Sequence, residues 1–313
     1  MEYLLNKTIR LLLKYQIIIV FSMLTHCFDL NAQEIEPRAY SNAPIGVNFF
    51  ISGYAYTQGD LSFGSNLPIT DAQLHTSNAV LAYARILNIS GKSAKIDAIL
   101  PYTWVDGTAV YKGEPISRSI AGFSDSKIRM AYNFIGAPAL ALKDFQKYKQ
   151  NMIVGASFQV TIPTGEYDSS KLVNIGTNRY AFKPEIGVSK MIKKWTLEFA
   201  SGITFFTDNN AFFGTKNRSQ EPLYSFQSHV NYSVFKGAWI AFDGIYYMGG
   251  RSSVDDVINN DLQQNWRFGG TVALPINKQY SVKLYASSGV SARTGNNYDL
   301  YGIVLQYRWG AGL

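Results

Sequence analysis

The sequence predicts an all-β chain, a transmembrane antiparallel up-and-down β-barrel of about twelve strands. Three observations predict it. From Ile45 to Trp309, segments of some ten residues alternate apolar with polar or small residues, and each ends in a turn. The charged residues of these segments gather on one parity. The connections between them alternate between short and long.

The N-terminal residues 1–32 read as a secretory signal peptide. Lys7, Arg10 and Lys14 precede a short apolar run, Gln16 to Leu24, and Leu30-Asn31-Ala32 offers a small residue for cleavage near Ala32. Cys27, the only cysteine, falls in this segment, after a leucine, threonine and histidine that make a poor lipoprotein signal. The mature chain is then expected to hold no disulfide, catalytic thiol or thiolate metal site. Residues 33–44 are expected to form an N-terminal periplasmic segment, and 45–313 the barrel.

The expected strands are 45–56, 74–88, 94–105, 125–136, 150–163, 179–191, 194–207, 221–234, 238–249, 262–275, 279–290 and 297–309. Each follows from period-two alternation, which sends successive side chains to opposite faces. In the eighth, Tyr224, Phe226, Val230, Tyr232 and Val234 share one face, and Ser225, Gln227, His229, Asn231 and Ser233 the other. Short connections fall at Ser90-Gly91-Lys92, Lys193-Lys194, Phe235-Lys236-Gly237 and Asn277-Lys278. Long ones fall near 57–73, 106–124, 164–178, 208–220 and 250–261. Residues 137–149 break this rule: a short-turn position holds Leu140 to Phe145, which read as a short helix. An even strand count puts both termini at the short-turn, periplasmic end.

Parity divides the faces. The lipid side is assigned Val47, Phe49 and Ile51; Ile96, Ala98, Leu100, Tyr102 and Trp104; Met152, Val154, Phe158, Val160 and Ile162; Leu197, Phe199, Ile203 and Phe205; and Ile303, Leu305, Tyr307 and Trp309. The inner side is assigned Arg85, Lys95, Asp97, Lys127, Arg129, Lys183, Glu185, Glu198, Asp243, Arg267, Lys283 and Arg308. A Lys or Arg on the lipid face at the bilayer midplane costs about 2–4 kcal/mol, which explains the segregation. The 21 tyrosines and 19 phenylalanines suit aromatic girdles at both interfaces. These features predict a membrane barrel with one end toward the periplasm, with the lipid bilayer and the outer-membrane insertion machinery as expected partners. The net charge of +7 is spread singly, without the basic, aromatic-rich patch of a nucleic-acid binder.

Particular words then matter. Pro37-Arg38-Ala39-Tyr40 precedes Pro44-Ile45-Gly46-Val47-Asn48. Gly136-Ala137-Pro138-Ala139-Leu140 sits at the odd connection. Pro163-Thr164-Gly165-Glu166-Tyr167-Asp168 and the run from Asn174 to Gly187 flank the next long one. Gln220-Glu221-Pro222-Leu223 and His229-Val230-Asn231-Tyr232 follow. Together, over roughly 37–309, they resemble the MetA-pathway of phenol degradation family of transporter-like outer-membrane proteins. The resemblance implies a Gram-negative outer-membrane barrel linked by name to uptake of aromatic compounds.

The expected function is therefore passive passage of small hydrophobic or aromatic solutes, without cofactor, metal or enzymatic activity. A solute is expected to enter between the outer loops and touch inward Tyr54, Tyr83 and Tyr285. It would then pass a strip of Arg179, Lys183 and Glu185. Arg85, Arg129, Glu198, His229, Asp243 and Arg267 complete the expected lumen-facing set. These charges also have a structural reading, as cross-strand pairs that prop the lumen and anchor loops. Two rivals stand beside the channel. A lipid hydrolase needs a Ser-His-Asn set on the lipid side, yet His229 shares the inner parity and Gly-x-Ser-x-Gly is absent. A structural or adhesive barrel would use long loops carrying Tyr111, Phe123, Phe212 and Phe213. Asp255, Asp256 and Asp261 share one loop without calcium-loop spacing.

Overall fold

The computed structural model describes residues 36–60, 69–291, 293 and 297–313. The expected signal peptide lies outside the described residues. Among the described residues, seventeen strands and one four-residue helix form, in order: β1 Asn48–Asp60, β2 Ile69–Ile89, β3 Lys92–Tyr111, β4 Glu114–Phe123, β5 Ser126–Ile135, α1 Leu142–Phe145, β6 Met152–Ile162, β7 Ala181–Ile192, β8 Trp195–Phe206, β9 Asn209–Phe212, β10 Lys216–Gln220, β11 Leu223–Phe235, β12 Ala238–Gly249, β13 Ser252–Val254, β14 Val257–Ile258, β15 Gln263–Pro275, β16 Tyr280–Ser291 and β17 Asn297–Trp309. Twelve of them close an antiparallel barrel. β1 pairs with β17 from Asn48–Trp309 to Asp60–Asn297, which leaves the wall no open edge.

The short-turn end is built as the sequence predicts. Ser90 and Gly91 both take left-handed φ, 46° and 76°, in a two-residue link that matches the twist of β2 and β3. The odd connection carries α1 and forms a floor. Ser93 N donates to Ala137 O at 3.0 Å and Ala139 N to Gly91 O at 3.0 Å, so it is stitched to the neighbouring hairpin.

The long-connection end holds more strand than expected. β2 and β3 run past the wall and β4 continues the hairpin, joined to β5 through a break at Ser124-Asp125. β9, β10, β13 and β14 form a separate small sheet, in which β10 of one loop pairs with β13 of the next. Short polar segments such as Lys216–Gln220 carry no apolar alternation to announce them.

The outer face is apolar between two aromatic belts. Tyr307 stacks on Trp309 at 5.4 Å and on Tyr280 at 4.9 Å near the short turns. Tyr102 meets Trp104, and Tyr246 meets Trp266, at 4.7 Å near the other end. Ile303, at the middle of β17, is half exposed on this face, whereas its neighbour Val304 points inward against Gly53. Ile303→Lys should cost about 2–4 kcal/mol in a urea unfolding titration in lipid. Val304→Lys should cost less, and equal losses would contradict the assigned faces.

Two strands reverse their expected parity. Val47, Phe49 and Ile51, expected on lipid, point into the barrel, and Phe50 and Tyr54 point out. Tyr54, Tyr83 and Arg85, expected in the lumen, all lie outside. The tyrosine hydroxyls donate to Ser77 Oγ at 2.9 Å and to Asn48 Oδ1 at 2.7 Å. Register decides the matter. Buried Asp97 stands opposite Ala84, and Lys95 opposite Ile86, so Ala84 and Ile86 take the inner face and Tyr83 and Arg85 the outer. Both faces of β1 and β2 are largely apolar, and alternation alone gives no sign. The other charged residues assigned inward keep that face.

Candidate lumen constriction

The centre of the lumen is built around small residues. Gly155 of β6 stands opposite Gly187 of β7, and Gly187 opposite Ala200 of β8. Three adjacent inward positions with at most a methyl group leave a dent in the wall. The ring of Tyr40 fills it: a Cβ on Gly187 would lie 2.1 Å from Tyr40 Cε2, and one on Gly155 would lie 2.8 Å from Cδ1. Tyr40 is 4% exposed and its hydroxyl donates to Glu185 Oε1 at 2.9 Å. The described part of the expected N-terminal segment, residues 36–44, is therefore docked on the inner wall and the floor connection.

The rest of this segment is tied down along its length. Arg38 holds φ at 67°, a left-handed conformation rare for a bulky residue. Its backbone N–H donates to Glu198 Oε2 at 2.6 Å and its guanidinium lies 5.5 Å over the Trp239 ring. Glu36 bonds to Arg129. Asn42 Nδ2 donates to Pro138 O at 3.1 Å and Ile45 N to Leu140 O at 2.9 Å, both on the floor connection.

Charged neighbours close the constriction. Arg129 meets Asp97 at 3.2 Å, Lys95 meets Asp97 at 3.5 Å, and Lys183 meets Glu185 at 2.9 Å. His229 Nδ1 lies 2.7 Å from Asp243 Oδ1, while Thr271 donates to Asp243 Oδ2 at 3.0 Å. Asn231 donates to Glu198 Oε2 at 3.1 Å. Glu198 Oε1 is buried with no partner among the described residues. What space remains between Tyr40 and these groups is about 20 Å³, room for about one water.

Burial alone would raise the Glu36 carboxyl, but Arg129 and then Lys95 outweigh it and hold it well below the usual carboxylate range. A carboxyl depressed on docking contributes stability above its ordinary value of 4.5, and loses it only as pH falls through the lower bound-state value. Conductance should therefore stay flat from about pH 7 to 5. A rise in that window that Glu36→Gln abolishes would contradict the pairing.

Of the residues expected in the lumen, Arg129, Lys183, Glu185, Glu198 and His229 line this one cavity. Asp243 stands behind His229. Arg267 lies apart, its guanidinium 3.7 Å over the Tyr298 ring and bonded to Ser287 Oγ at 2.9 Å. Tyr285 also points inward, its ring across Gly302. The expected Arg179/Lys183/Glu185 strip does not form. Arg179 precedes β7 and turns to Gln220 and the Phe206 ring, 4.5 Å away, anchoring the outer loops. Burial, with Arg218 nearby, brings its pKa down to about 10, which leaves it a cation at neutral pH. Glu36, Arg38 and Tyr40 were not anticipated, although the paired glycines and the Pro37 to Tyr40 word were visible signs of them.

The fold recurs in solved structures. The COG4313 outer membrane channel of Pseudomonas putida F1 superposes with a TM-score of 0.72 at 17% identity, over 88% of this chain and all (100%) of that one. The β domain of the Bordetella autotransporter BrkA superposes with a TM-score of 0.50 at 11% identity, over 84% of this chain and 100% of that one. No curated protein sequence matches the chain. The family described as "Putative MetA-pathway of phenol degradation" matches residues 47–307, and the chain belongs to that family.

Proposed function

We propose that the protein is an outer-membrane channel for passive passage of small hydrophobic or aromatic solutes, narrowed by its own N-terminal segment. The observation that carries this reading is the split inner wall. Phe49, Ile51, Val80, Ala82, Ile99 and Val304 give one arc a partly exposed apolar surface. Across the lumen, Gln159, Lys183, Glu185, Gln227 and His229 give a polar arc. A solute with an apolar body and a polar edge matches both sides, whereas an ion meets only half a favourable wall. The family's description, which names phenol degradation, and the channel of P. putida support the same direction.

A non-enzymatic role agrees with this wall. His229 and Asp243 form a buried couple whose remaining contacts are structural, with Thr271 on the far carboxylate oxygen. The inserted barrel implies assembly by the outer-membrane insertion machinery. Liposomes containing the protein should accumulate phenol faster than empty liposomes. Equal rates in the wild type and in the variant lacking residues 36–44 would sink the reading.

A further inference from the structure

A second cavity, of about 370 Å³, opens at the outer end, between the extended β2–β3–β4 hairpin and the loop after β6. It is distinct from the constriction and shares none of its lining. Leu74, Ile116, Leu172 and Phe213 give it apolar walls. Gly107, paired with Leu74 on one side and Arg118 on the other, has no side chain to fill it. Ile116 and Phe213, which line it, are 45% and 41% exposed.

Two cations complete the lining. Arg118 donates through Nε to Val173 O at 3.0 Å, which fastens the loop to β4 and fixes the guanidinium at the wall. Lys171 stands on the same loop. The nearby carboxylate, Asp168, is engaged by the Ser170 N–H at 2.9 Å and hydroxyl at 2.7 Å.

We propose that this cavity is an extracellular capture site for a small amphipathic anion, with an aromatic or branched apolar body against Leu74, Ile116, Leu172 and Phe213 and a single carboxylate against Arg118 and Lys171. The volume falls in the range that encloses a small organic ligand, and apolar walls with a few convergent polar groups are the usual makeup of such sites. The proposal deepens the channel reading, on which it rests for the fate of the solute, by naming the class of molecule first captured.

The test is calorimetric titration of the full barrel in lipid nanodiscs with 4-phenylbutyrate and with neutral 4-phenylbutanol. The acid should bind about tenfold or more tightly than the alcohol. Lys171→Glu, at a loop position, should remove that preference. Ala109→Trp, which fills the cavity, should lose both ligands. Equal affinities in the wild type, an unaltered preference in Lys171→Glu, or retained binding in Ala109→Trp would each overturn the proposal. Liposome uptake separates the two claims. Binding without uptake removes the channel and keeps the site; wild-type uptake of phenylbutyrate by Ala109→Trp keeps the channel and removes the capture role.

Discussion

Deleting residues 36–44 should raise the single-channel conductance of the barrel severalfold in a planar bilayer. The segment docks on the inner wall, where the cavity left beside Tyr40 is about 20 Å³. A twelve-stranded barrel has an interior between the filled eight-stranded kind and the wide porins, so one extended segment is enough to narrow it. Its removal leaves Glu185, Glu198 and Arg129 without their bonds to Tyr40, Arg38 and Glu36. Those groups face the lumen and water can replace each lost partner, so the wall should stay folded and heat-modifiable on gels. Unchanged conductance from a correctly folded deletion variant would show that the segment does not set the constriction.

A single methyl group should do part of the same work. Gly187→Ala places a Cβ 2.1 Å from the Tyr40 ring, and the ring cannot slide away because Gly155 backs it on the next strand. Overpacking of this kind costs about 1–3 kcal/mol, here charged against docking of the segment rather than against the wall. The open fraction in single-channel records should rise about fivefold or more, since 1 kcal/mol is already about that factor. The decisive comparison is the double variant. With Tyr40→Ala present there is no ring to strike, and Gly187→Ala should then have no effect on open fraction. An equal effect in both backgrounds would place the damage in the strands instead.

The sequence carried the barrel because membrane strands obey one simple rule, and most of the wall obeys it strictly. β11 and β12 were readable to within a residue or two, and the inward face of Gln227, His229 and Asp243 with them. The rule fails where the lumen itself is apolar. Phe49 and Ile51 on one face of β1, and Phe50 and Tyr54 on the other, give no contrast, so Phe49 and Ile51 read from alternation as lipid-facing. Only the pairing of β2 with the charged stretch of β3, and of β1 with β2, resolves them, and pairing is a long-range fact. The N-terminal plug was hidden for a related reason. Its docking depends on Gly155, Gly187 and Ala200, which lie far along the chain and become one dent only when the strands are registered.

The plug joins β1 directly: Gly46 N already bonds Ile86 O at 2.9 Å, and Asn48 begins the strand. Opening and closing are therefore events within one molecule. Residues 36–44, fully extended, reach about 30 Å from that anchor, so a released segment stays at the barrel mouth. A short tether of this sort keeps its end at an effective concentration of about a millimolar or more. Closure should thus be independent of how many barrels share a membrane. A free peptide of the same sequence, added to the truncated barrel, would have to reach that concentration to close it as well.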